Sequence, residues 1–265
     1  MNNNQPSTVK LPFWETIRRS FIYPFANFKD TLKISSFWFL ILIYEIAAGS
    51  PGTCNITDDG CFLSVKGAIS FLLILAASIS IMVAFCRYTV LGEKKNLFKA
   101  SFGLRELKYI GVAILIMLAV IVPLIALIAI FVFFLGLFGV EGNQMISYML
   151  IPVLLTFIIS IYVSRLYVAL AAVTVDNKKL DFRKALRLTA GNANRIFWGQ
   201  LLLILPMTLS IYSISTLYST YGGTLISDIL FVVATYAITF LDSSIKASFL
   251  GHIYMFFNYF DKRDI

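Results

Sequence analysis

Long apolar runs separated by short polar and basic stretches set the pattern of this chain. Six runs stand out, at about 34–49, 67–90, 109–139, 146–173, 196–218 and 226–257. A bilayer core of about 30 Å is crossed by roughly 20 apolar residues in a helix, so each run predicts a transmembrane helix. The third and fourth exceed the minimum and must tilt, kink or emerge into the interface. The runs are apolar on every face, without the alternation of a β-barrel strand. The pattern therefore predicts an all-α, polytopic transmembrane helical bundle of about six spans with short interfacial helices. Pro123, Pro152 and Pro206 fall in the third, fourth and fifth runs. Each is expected to bend its helix for packing, a moving hinge being the sharper alternative.

The polar stretches carry a second periodicity. Phe13, Ile17, Phe21 and Phe25 recur at helical spacing, with Arg18 and Arg19 on another face. Asp181 is placed to cap a short helix carrying Phe182, Ala185, Leu186 and Thr189, with Arg183, Lys184 and Arg187 on its polar side and Gly191 beyond its end. Such helices lie in the headgroup plane or pack on the ends of the bundle. Residues 1–11 read as a disordered arm, and 12–265 as one membrane domain with possible repeat units 12–92, 93–175 and 176–265. Arg18, Arg19, Lys29 and Lys33 precede the first apolar run, so that run reads as a retained span and not a signal peptide. In each even-numbered span a cation (Arg87, Arg165 or Lys246) follows the span's start by 18 to 20 residues. At about 1.5 Å per residue it lands near the far interface. There it snorkels to water, or turns inward to a lipid phosphate or to Asp242.

Composition sharpens the class. Of 265 residues, 59% are apolar and 14% charged, against about 45–50% and about 25% in soluble domains. This excludes an ordinary soluble enzyme, a disordered chain and a disulfide scaffold. The net charge of +8 is unevenly spread: 21 of the 22 Lys and Arg residues fall on one side of the six-span plan, and only Lys66 on the other. The positive-inside rule then predicts cytoplasmic termini, with outer loops near 50–66, 140–145 and 219–225. Topology accounts for the charge, and no nucleic-acid partner is needed to explain it.

Candidate chemistry is sparse. Cys54 and Cys61 share the first outer loop, where an oxidising exterior permits a disulfide and a reducing one leaves two thiols. Asn55 begins a glycosylation sequon that matters only in a secretory host. Cys86 reads as a small core residue, and the one histidine, His252, has no metal-ligand company. No hydrolase, nucleotide-binding or metalloprotease motif is present, so no cofactor, metal or enzymatic activity is expected. Asp242 and Lys246 stand at i and i+4 in the sixth span, where they form a structural pair or a proton- or substrate-coupled site. Glu45 lies near an interface, and hydroxyls such as Ser210, Ser213 and Thr216 are expected to bond their own helix. Gly222-Gly223 marks an outer turn.

The stretch Arg165-Leu166-Tyr167-Val168-Ala169-Leu170, Asp176, Phe182-Arg183-Lys184-Ala185-Leu186 and Leu188-Thr189-Ala190-Gly191-Asn192 resembles the membrane domains associated with glycerophosphoryl diester phosphodiesterases and related six-span bacterial proteins. The resemblance covers about 165–200 closely and the six-span plan loosely. It implies a bacterial inner-membrane protein with a lipid or envelope connection. The phosphodiesterase activity of the larger members resides in a separate soluble domain and does not carry over. The expected function is non-enzymatic: binding of lipid or of a membrane protein partner. Lys178, Lys179, Arg183, Lys184 and Arg187 would attract anionic headgroups, with Arg87 and Arg165 as further lipid or partner contacts. The alternative is a small transporter of a lipid-like or small solute using Asp242, Lys246 and Arg165, with an intramembrane enzyme a distant third.

Overall fold

The computed structural model describes residues 9–47, 65–93, 103–137, 150–177 and 180–261. Every regular element among them is helical. The order is α1 (Phe13–Ala26), α2 (Phe28–Ile34), α3 (Ser36–Ala47), α4 (Val65–Leu91), α5 (Leu104–Leu137), α6 (Leu150–Val163), a 3₁₀ turn (Ser164–Leu166), α7 (Tyr167–Thr174), α8 (Phe182–Leu188), α9 (Ala193–Tyr221) and α10 (Leu225–Asp261). Five stretches are long and apolar enough to cross a membrane: Leu72–Leu91, Leu104–Phe133, Leu155–Thr174, Ala193–Tyr221 and Ile226–Tyr259. The first expected span corresponds to α3, which runs for 12 residues. That is about 18 Å at the helical rise, short of a bilayer core, and residues 48–64 lie outside the description. The molecule is an integral multi-pass helical membrane protein.

The long helix α10 organises the bundle, packing against α4, α1 and α9. The dense core lies toward one end. Val168, Ala171, Ala172, Ile196 and Ile253 are almost completely buried there, and so is Leu11. A second cluster joins Trp38 of α3 to Tyr236 and Phe240 of α10, with the Trp38 indole N–H donating to the Tyr236 carbonyl at 3.2 Å. The lateral faces are different. Only 6% of the most apolar stretch of α5, and of α9, is buried. Ile114, Leu118, Ile125 and Phe133 of α5 stand exposed, which suits helices that face lipid.

Local sequence explains the breaks. The chain bends at Asn27 and Ser35, where side-chain bonds to preceding carbonyls compete with helix propagation. The apolar run expected at 146–173 is not one continuous α-helix, because it tightens into the 3₁₀ turn at Ser164–Leu166. Ser164 there donates to the Ile161 carbonyl at 2.7 Å. The Asp181 cap forms as read: its side chain accepts the Lys184 backbone N–H at 2.7 Å. Phe182 and Ala185 face inward, but Leu186 is exposed, and Leu188 is half-buried instead. Ser210, Ser213 and Thr216 bond carbonyls four residues back, as expected.

The arm ends earlier than its polar composition suggests. Leu11 is 0% exposed, its N–H donates to the Asn192 side chain at 2.8 Å, and the Asn192 amide donates to the Val9 carbonyl at 2.9 Å. Arg195 adds a bond to the Leu11 carbonyl. Residues 9–11 are therefore held against the bundle, with Leu11 buried and Val9 and Lys10 exposed, by a side-chain clasp that no local periodicity signals.

Candidate functional site

The basic end of the bundle holds Arg87, Arg165, Arg183, Lys184 and Arg187 from the expected site residues. Arg87, near the end of α4, reaches three partners. It bonds Glu93 at 2.6 and 2.9 Å, the Thr174 carbonyl at 2.8 Å and Asp176 at 3.2 Å. Arg105 of α5 approaches the same Asp176 oxygen at 2.8 Å. Asp176 adopts a left-handed backbone, with φ of 57°. The Asn177 N–H closes on the Ala172 carbonyl at 2.9 Å, which ends α7 and aims the carboxylate at both guanidiniums. Arg87 is thus satisfied by the protein and binds α4 to the turn after α7.

Arg165 acts similarly. Its Nε donates to Thr189 Oγ1 at 3.2 Å, and its Nη2 donates to the Leu186 carbonyl near the end of α8. Cations near a helix C-terminus meet the negative end of the dipole, so Arg165 seats α8 on the bundle. Gly191 follows with φ of 75° and turns the chain so that Asn192 faces the arm. The Thr-Ala-Gly-Asn segment is therefore a structural joint.

Two short helices expose cations beside apolar side chains. On α1, Thr16, Ile17 and Ser20 are buried, while Trp14, Arg18, Ile22 and Phe25 form an exposed stripe. The expected apolar stripe is split: Ile17 is buried and Phe13 and Phe21 half-buried, but Phe25 faces outward. On α8, Arg183, Leu186 and Arg187 are exposed, and Lys184 is half-buried. Between α1 and the end of α10, Tyr23 packs edge-on to His252 at 5.5 Å. Burial pushes the Tyr23 phenol above its usual pKa, and the Asp30 charge adds to this.

Lys246 and Asp242 meet at 2.5 Å across one turn of α10. Asp242 Oδ1 and the fully buried Ser244 hydroxyl have no hydrogen-bond partner among the described residues. Lys246 also lines a cavity of about 170 Å³, together with Tyr167, Gln200, Leu203 and Phe249. Tyr167, Gln200 and Ile204 are shared with a trough of about 350 Å³ whose walls include Ile116, Val120 and Phe197. Gln200 is the residue that sequence reasoning passed over. Its only signal is a lone amide inside an otherwise apolar run.

Lys178, Lys179, Cys54, Cys61 and the Asn55 sequon lie outside the described residues, as does the Glu45 side chain. Cys86 is fully buried, with Thr174 Oγ1 3.1 Å from its sulfur. Among the described residues no group of three or more His, Cys, Asp or Glu side chains is placed to hold a metal ion. Comparison of the chain with protein-family models, with curated proteins and with solved structures finds no match.

Proposed function

We propose that this is a non-enzymatic membrane protein that holds anionic lipid against the basic end of its bundle. The observation that supports this is the exposed mixture on α1 and α8, where Trp14, Ile22, Phe25 and Leu186 alternate with Arg18, Arg183 and Arg187. Apolar side chains of this kind enter the headgroup–acyl boundary while neighbouring cations meet phosphates. In this reading the basic end faces the cytoplasm, and the membrane is the bacterial inner membrane that the resemblance implies. Arg87 and Arg165 then serve as braces that position the lipid-facing helices.

The test replaces Lys178, Lys179, Arg183, Lys184 and Arg187 with Gln and compares the lipid retained after extraction in native lipid particles. Each cation near an anionic surface contributes about 1 kcal/mol, so enrichment of anionic over zwitterionic lipid is expected to collapse in the variant. Unchanged enrichment would remove the reading and leave a protein partner as the occupant of this surface.

A further inference from the structure

Gln200 stands on α9 five residues beyond Arg195, so it sits about 7 Å deeper along the helix axis. It is half-buried where the small cavity meets the larger trough. Neither its amide nor the Tyr167 hydroxyl has a hydrogen-bond partner among the described residues. Inside a membrane an unsatisfied polar group is costly, because hydrocarbon offers it nothing. Among the described residues Lys246 is the one charged side chain that lines the small cavity. It gives one donor to Asp242, and an ammonium has three. Asp242 does not line the cavity, so an occupant meets the cation and not its counter-ion.

The trough continues from these polar groups between α5, α6 and α9. Its walls are mainly aliphatic and aromatic, with Ser160 and Ser164 among them, and Met117 and Ile121 on its rim are exposed on the lateral face. A charged and hydrogen-bonding pocket therefore leads directly into an apolar channel open toward lipid. That is the shape of an amphiphile with an anionic head and one acyl chain in the trough. We infer that the Tyr167–Gln200–Lys246 cavity and the adjoining trough bind one anionic phospholipid of the basic-side leaflet. The phosphate faces Lys246, its ester and glycerol oxygens face Gln200 and Tyr167, and an acyl chain lies along Ile116, Val120 and Ile204. This deepens the lipid-binding proposal by giving one lipid molecule an address separate from the exposed surface of α8.

The test uses the full chain, delipidated and titrated with phosphatidylglycerol or phosphatidylcholine, with occupancy read by native mass spectrometry. Glycerol 3-phosphate is titrated as the free head. One phosphatidylglycerol is expected to bind in preference to phosphatidylcholine, and glycerol 3-phosphate alone is expected not to displace it. Gln200→Leu and Ile204→Trp are each expected to weaken that binding about tenfold, the first by removing the amide and the second by filling the channel. Both replacements suit an apolar span, and retained thermal stability confirms folding. Undiminished phosphatidylglycerol binding in both folded variants would overturn the proposal. So would equal binding of phosphatidylcholine, or displacement by the free head. The five-Gln variant separates the two readings: it keeps the single tight lipid even if the α8 surface loses its enrichment. If that variant changes nothing while Gln200→Leu still releases the lipid, the surface reading fails and the site stands.

Discussion

Arg87 and Arg105 share one carboxylate, yet their surroundings differ. The Arg87 side chain is 12% exposed and spends its donors on Glu93, Asp176 and a backbone carbonyl. The Arg105 side chain is 51% exposed and answers Asp176 from solvent. Removing Arg87 strands the part-buried Thr174 carbonyl, at a cost of about 1–3 kcal/mol, while Glu93 and Asp176 turn to water. Arg87→Met is therefore expected to lower thermal stability clearly. Arg105→Met should shift it by at most about 1 kcal/mol, as exposed pairs do. Unfolding of both variants in the same detergent checks this, and equal shifts would contradict the geometry. The place of Arg87 near the end of a long apolar helix was legible from span length alone. Its partner was not, because Asp176 lies 89 residues away and depends on a left-handed turn that no local pattern requires. Asn192 was equally hidden, although its Thr-Ala-Gly-Asn setting was recognisable as a motif.

Among the elements, α4 and α10 cross closely at Gly251. A methyl group on Gly251 would lie 2.8 and 2.9 Å from Thr89 side-chain carbons, so only glycine lets these helices touch here. Thr89 is stiff at χ1 and its hydroxyl bonds the Phe85 carbonyl, so it has little room to move aside. Gly251→Val should cost about 1–3 kcal/mol or more through overpacking. Gly111→Val, where an added carbon meets nothing within 4 Å, is the control, and it should leave the melting temperature nearly unchanged. Comparable losses in both would show that the crossing is not tight. Element existence was readable from apolar length: the run expected at 226–257 is α10, Leu225–Asp261. Breaks inside apolar runs were not readable, since Ser164 interrupts α6 through a bond to its own helix rather than through proline or glycine. The α1–α3 region shows the same limit, with Asn27 and Ser35 dividing what could have been one helix.

At the scale of the molecule, charge asymmetry and bundle anatomy point the same way. The densely packed end is also the end where Arg87, Arg105, Arg165 and Arg195 make their bonds. If this end is cytoplasmic, alkaline phosphatase fused after Gly222 should be active, and the same enzyme fused at the C-terminus should be inactive. The opposite result would invert the assignment. Hydropathy carried the helical plan because apolar length acts along the chain. The Tyr167–Gln200–Lys246 cavity was not legible, because it exists where α4, α7, α9 and α10 converge.

The clasp between the arm and α9 has a consequence for how the protein is made. Leu11 and Asn192 are 181 residues apart in the chain. At synthesis rates of about 5–20 residues per second, Leu11 waits roughly 10–40 s for its partner. Throughout that interval three membrane-crossing stretches can insert while the arm stays unfastened. Its closure is one of the last events of assembly and requires the start of α9 to be in place. A nascent chain stalled before Asn192 keeps an arm that lacks both side chains of its clasp, Asn192 and Arg195.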